Sequence, residues 1–73
     1  MNSETKSFKE ILGTRISSER VGRGLGVREL ALIAGIEHHQ LINIEKGRVD
    51  IRLSTLLKIA KALNVKARDL LDF

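Results

Sequence analysis

The sequence contains no cysteine, no proline, no tryptophan and no tyrosine, and each gap removes a class of protein. Without cysteine there is no disulfide framework and no thiolate zinc site, so a small fold must be held by apolar packing or by association. With aromatics limited to Phe8 and Phe73, the stacking platforms that readers of single-stranded nucleic acid use are missing. No apolar run approaches the roughly 20 residues that a bilayer span needs, and no membrane role is expected. Met1 to Lys6 are polar, which predicts no secretory signal and a cytoplasmic location. A length of 73 residues predicts one domain at most and removes most enzyme architectures.

What the chain does carry is positive charge. Thirteen Lys and Arg against nine Asp and Glu give +4, with an isoelectric point near 10.0. Charge alone leaves nucleic acid, an anionic membrane and an acidic protein open, although the scarcity of aromatics moves the nucleic-acid reading toward a duplex.

Glycines supply the punctuation. Gly22, Gly24, Gly26, Gly35 and Gly47 divide segments whose apolar residues recur three and four apart, and no stretch alternates cleanly enough for a half-buried strand. The chain is expected to be all-α, with five short helices in a single domain over residues 8–73 behind a flexible polar segment, 1–7. A first helix over Phe8 to Val21 repeats Phe8, Leu12 and Ile16, with Ser7 as N-cap and Glu10 closing a capping box. A second runs from Val27 to Ala34, a third from Glu37 to Lys46 with Leu41 and Ile44 inward. The fourth, Leu53 to Leu63, carries Leu53, Leu56, Leu57, Ala60 and Leu63 on one stripe and ends at Asn64, a residue suited to the left-handed conformation. Ala67 to Asp72 forms a last turn.

The second and third segments, joined around Gly35, have the spacing of a helix-turn-helix. Ala31 lets the two helices approach, Gly35 makes the turn, and Ile36 plugs the gap beneath. One face of the third helix is then free to enter a major groove about 12 Å wide.

Arg20, Gly24-Leu25, Glu29-Leu30-Ala31, Ala34-Gly35-Ile36, Ile44-Glu45-Lys46-Gly47 and Leu56-Leu57-Lys58-Ile59-Ala60-Lys61-Ala62-Leu63 together resemble the Xre-type family, the phage repressor and Cro-like helix-turn-helix class with a lambda-repressor-like domain. The resemblance covers about residues 8 to 72. It implies that Glu37, His38, His39 and Asn43 stand at the exposed front of the recognition helix, where relatives touch base edges. Chemistry agrees for Asn43, whose amide can pair with adenine N6 and N7, and for the histidines, which can donate to guanine or to phosphate. Glu37 has two readings, acceptance from cytosine N4 or capping of its own helix, and Ile42 likewise either meets thymine methyl groups or sits half-buried. For His38-His39 the alternative is a solvated polar pair. Adjacent helical positions point about 100° apart, so a metal site is not expected. Arg28, Lys46, Arg48 and Arg52 are expected along the DNA backbone, and the resemblance pairs Arg20 with Glu45 as a structural ion pair between the first and third helices. The chain departs from the pattern at Gly26-Val27, where relatives carry Ser or Thr followed by Gln to clamp a phosphate. It departs again at Glu37, commonly Ser or Thr, and at Ile51-Arg52, commonly Pro-Ser.

Leu70, Leu71 and Phe73 close the chain with more apolar surface than a small core can absorb. Leu70 is expected to fold back under the fourth helix as core, yet the core cannot take all three, and the three together mark a dimer interface, which suits a palindromic site read by two recognition helices. The function expected is a sequence-specific double-stranded DNA-binding transcriptional regulator, a homodimeric repressor on a palindromic operator. The alternative is an antitoxin-like or adaptor module whose main partner is another protein. No enzyme activity and no cofactor are expected: Gly22-Arg23-Gly24-Leu25-Gly26 lacks the strand and the trailing residues of a phosphate-binding loop, and the histidines meet no nucleophile.

Overall fold

The first helix begins where its cap chemistry dictates. Glu10 N–H donates to Ser7 Oγ at 3.3 Å, and Ser7 N–H donates to the Glu10 carboxylate at 3.0 Å, the reciprocal capping box expected from the sequence. The Ser7 N–H and the Ser7 hydroxyl, both donating to the Glu10 carboxylate, hold it below its ordinary pKa. The computed structural model describes residues 6–73. The expectation of a flexible polar segment therefore falls mainly on residues 1–5, outside the described residues.

Five helices follow: α1 Phe8–Gly22, α2 Val27–Ala34, α3 His38–Glu45, α4 Leu53–Ala62 and α5 Ala67–Leu70. There is no strand among the described residues, and no helix there is long and apolar enough to cross a membrane. The expected ends of α1, α3, α4 and α5 shift by one or two residues, as frayed termini do.

All four longer helices end in the same way. A left-handed residue, Gly24, Gly35, Gly47 or Asn64, follows each. Its N–H and that of the next residue turn back to the last-turn carbonyls of Val21 and Arg20, Leu32 and Ala31, Ile44 and Asn43, and Lys61 and Ala60. These are Schellman motifs, which satisfy carbonyls that helix ends otherwise leave without partners. At Gly35, with φ 72° and ψ 35°, the motif forms the turn between α2 and α3.

The core gathers Leu12 and Ile16 from α1, Leu30, Ala31 and Ala34 from α2, Leu41 and Ile44 from α3, and Leu56, Ile59, Ala60 and Leu63 around α4, with Leu70 closing it. α1 packs on α3, α2 on both α3 and α4, and α5 on α4 and α1. Each fully buried Leu or Ile contributes roughly 1.5–3 kcal/mol of transfer free energy.

Three expectations need correction. Phe8 does not join the core stripe but is 77% exposed, because the first turn of α1 reaches beyond its neighbours and its ring meets Phe73 instead, centroids 5.8 Å apart. In α4, Leu53 and Leu57 are 68% and 51% exposed while Ile59 is fully buried. Apolar residues surround more of α4 than one stripe, so the positions of α2 and α5 decide which are covered. Leu70, finally, is 1% exposed. It belongs wholly to the core of its own chain and offers nothing to a second copy, which leaves Leu71 and Phe73 at the surface.

Candidate nucleic-acid interface

α3 is placed by two neighbours, α2 and α1. The turn at Gly35 sets where it starts: Ile36 N–H donates to the Ala31 carbonyl at 3.0 Å, and the Ile36 side chain packs against the core between the two helices. Ala31, at 2% exposure, is the small residue at this junction. The expected roles of Ala31, Gly35 and Ile36 are those the structure displays.

Behind α3, Gly13 of α1 lies against its last turn. A Cβ at position 13 would stand 2.6 Å from the Glu45 carbonyl oxygen and would also collide with that of Ile44. Only a glycine lets the two backbones meet this closely. The sequence alone gives Gly13 no role; a glycine inside an amphipathic helix is the signal it carries.

The same junction holds the ion pair. Arg20 Nε donates to Glu45 Oε2 at 2.7 Å and Arg20 Nη2 donates to Glu45 Oε1 at 2.9 Å, a two-pronged contact, while Nη1 donates to the Leu25 carbonyl at 2.8 Å. The two side chains are 13% and 8% exposed. Hydrogen bonding to Glu45 raises the Arg20 pKa further, against the opposing effect of burial. Arg20 thus ties the loop after α1, the end of α1 and the end of α3 into one unit. No buried side-chain nitrogen or oxygen among the described residues lacks a hydrogen-bond partner.

The opposite face of α3 is polar and open. Glu37 and His39 are exposed, His38 and Asn43 half-buried, and Leu41 and Ile44 point into the core. Glu37 is the N-cap, its carboxylate accepting from His39 N–H at 3.2 Å, so of its two readings the capping one describes its contact in the structure. Ile42 is half-buried. The rings of His38 and His39 meet edge to face, 4.9 Å apart, and no cluster of metal-ligating residues forms among the described residues.

Lys46 and Arg48 follow α3 directly, while Arg28 stands in the first turn of α2 and Arg52 just before α4. Arg28, Lys46, Arg48 and Arg52 are all exposed. Arg48 differs from the others in having a side-chain partner: Nη1 donates to Asn43 Oδ1 at 3.1 Å. At the start of α2, where relatives were expected to clamp phosphate, Gly26 has no side chain, and its N–H donates at 2.7 Å to the Glu29 carboxylate.

This geometry defines a small helix-turn-helix domain, and comparison with known proteins agrees. A family model described as a helix-turn-helix domain matches residues 13–72. Among curated proteins the chain is 36% identical over 64 residues to the control protein C.SmaI of Serratia marcescens, covering 88% of this chain and 76% of that one. It is 29% identical over 70 residues to the control protein C.BamHI of Bacillus amyloliquefaciens, covering 94% and 86%. Among solved structures it is similar to the restriction-modification controller protein C.AhdI of Aeromonas hydrophila, with 29% identity, a TM-score of 0.83 and coverage of 85% of this chain and 94% of that one. SinR, a master regulator of biofilm formation solved in complex with DNA, gives 32% identity, a TM-score of 0.79 and coverage of 84% and 98%. The chain belongs to the helix-turn-helix domain family, in its Xre-like form, the class of small all-α DNA-binding transcription regulators.

Proposed function

We propose that the protein is a homodimeric, sequence-specific regulator of the controller type that reads a palindromic operator in duplex DNA and represses by occupying a promoter. The observation that carries this reading is the division of α3: a rear face fixed by Leu41, Ile44, Gly13 and the Arg20–Glu45 pair, and a polar front face followed directly by the exposed cations Lys46 and Arg48. Such a helix can enter a major groove without rearrangement of its support. His38, His39 and Asn43 then face base edges, while Arg28, Lys46 and Arg52 meet phosphates. The control proteins among its relatives and the DNA complex of SinR support the assignment.

Dimerisation is supported by the apolar patch that the monomer leaves uncovered. Phe8, Val49, Leu71 and Phe73 line one groove with Leu12 and Ile44 at its floor, and the Arg15 guanidinium lies 5.6 Å from the centre of the Phe73 ring. A second copy seated there would put two recognition helices about 34 Å apart, one turn of DNA.

Selection from random duplexes at stated salt tests the reading, followed by titration of the selected fragment. An inverted-repeat site is expected, with affinity falling steeply as salt rises, by about 0.9 in log–log slope for each phosphate neutralised. Sedimentation across micromolar concentrations should show a dimer that Leu71→Asp with Phe73→Asp weakens. A second reading, a protein-binding adaptor, is favoured by one observation: Gly26 offers no side chain to a phosphate at the start of α2. It predicts no salt-dependent shift with any dyad-symmetric fragment.

A further inference from the structure

The motifs that end α2, α3 and α4 differ at one position, and the difference lies on the reading face. In a Schellman motif the residue after the left-handed one comes to rest beside the residue that opens the last turn, and the contact is ordinarily apolar. After α2 that pair is Ile36 with Ala31, and after α4 it is Val65 with Ala60. After α3 it is Arg48 with Asn43, joined first through the backbone, Arg48 N–H to the Asn43 carbonyl at 3.0 Å, and again through the side chains at 3.1 Å.

The turn that creates this pair is fixed. Gly47 has φ 70°, and a Cβ there would stand 2.8 Å from Glu10 Cα, so the loop after α3 rests directly on the start of α1. Asn43 and Arg48 are therefore held side by side by the backbone before any nucleic acid arrives.

We infer that Asn43 and Arg48 act as one base-reading unit that selects guanine, an inference that rests on the DNA-regulator reading given above. Arginine has five N–H donors and no acceptor, so the Asn43 amide must turn its oxygen toward Arg48 and its NH2 outward. An asparagine in that state has one lone pair of its oxygen engaged and the oxygen drawn toward Arg48, so its amide no longer presents oxygen and NH2 together to the N6 and N7 of adenine. What the pair turns toward a base edge is chiefly donors: the Asn43 NH2 and the remaining N–H groups of Arg48. Guanine presents two major-groove acceptors, O6 and N7, whereas adenine presents N7 beside a donor. The sequence by itself assigns Asn43 to adenine and Arg48 to the phosphate backbone. The shared motif replaces both assignments.

The test compares operators selected by the wild-type protein and by Arg48→Met, which keeps an unbranched apolar stem and removes the donors. The wild type is expected to enrich guanine at one position of each half-site. Arg48→Met should lose that preference by about tenfold or more, or exchange it for adenine once the Asn43 oxygen is free, with every other position unchanged. Asn43→Ala should lose preference at the same position. Circular dichroism confirms that each variant keeps its helices. If Arg48→Met selects the same bases as the wild type and merely binds all duplexes more weakly, Arg48 is a phosphate contact and the inference is overturned while the regulator reading stands. Adenine at the Asn43 position in the wild-type site overturns it equally. If the wild type enriches no sequence at all, the regulator reading falls and takes the inference with it.

Discussion

The two faces of α3 differ in how many independent constraints act on each. The rear face is fixed several times over: two buried aliphatic side chains, a glycine that lets a second helix backbone touch it, and a two-pronged ion pair shielded from water. The front face has two exposed hydrogen bonds, Glu37 with the His39 backbone and Arg48 with Asn43. Redundancy behind the helix is what allows sparseness in front of it. A reading surface has to keep its polar groups available for exchange with base edges, and a surface so lightly bonded cannot also hold the helix in place. Stability and specificity therefore reside in different residues of the same eight-residue helix.

Substitutions at the rear should cost stability, and those at the front should not. The largest effect is expected for Glu45→Ala, which strands the Arg20 guanidinium and should cost about 3 kcal/mol in urea denaturation. Replacing the pair together, Arg20→Met with Glu45→Leu, should recover most of that loss, because the penalty comes from the unpaired charge. Gly13→Ala should cost about 2 kcal/mol, with collision against the α3 carbonyls outweighing the better helix propensity of alanine. A thermal midpoint equal to that of the wild type would show that α1 and α3 can separate without penalty, which would weaken the contrast between the faces.

Ser7→Ala removes the N-cap of α1 and should cost about 1 kcal/mol. The same cap has a pH signature. The Glu10 pKa is depressed in the folded state, so its contribution is present above the ordinary carboxylate range and lost as pH falls through the depressed value. Amide exchange in the first turn of α1 should accelerate over that interval, and Ser7→Ala should flatten the change. The smallest effect on stability is expected at the front. His39→Ala and Asn43→Ala should each leave the free energy of unfolding within about 0.5 kcal/mol of the wild type while altering DNA selection. A large loss of stability from either would erase the division between the two faces.

Much of this arrangement is legible in the residues, and what is not has a common cause. The Ser7–Glu10 box, the left-handed Gly35 and Asn64, and the exact span of α2 follow from local rules that act within a few residues. The Arg20–Glu45 pair joins positions twenty-five apart in the chain, and only the family resemblance made it legible. Gly13 was visible but mute, since its meaning depends on a helix that approaches from elsewhere. Phe8, Leu53 and Leu57 were misplaced because apolar periodicity identifies a face that can be buried without saying whether another element arrives to bury it. For the candidate site, the residues of the α3 front were legible as a set. Their individual partners were not: Glu37 had two chemically reasonable readings, and the bond from Arg48 to Asn43 depends on a turn that brings the two together.

The sequence alone determined the helices, their caps and the left-handed stops between them, because these depend on interactions among residues close in the chain. It also determined the basic character that bounds the choice of partner, since charge is a sum over residues and needs no geometry. Only the tertiary structure decided which apolar residues are covered, that Leu70 closes the core while Leu71 and Phe73 remain outside, and that Arg48 sits beside Asn43 instead of standing alone. Those outcomes depend on where separate elements come to rest against one another, and a side chain's partner is fixed only when the backbone that brings the partner near has been placed.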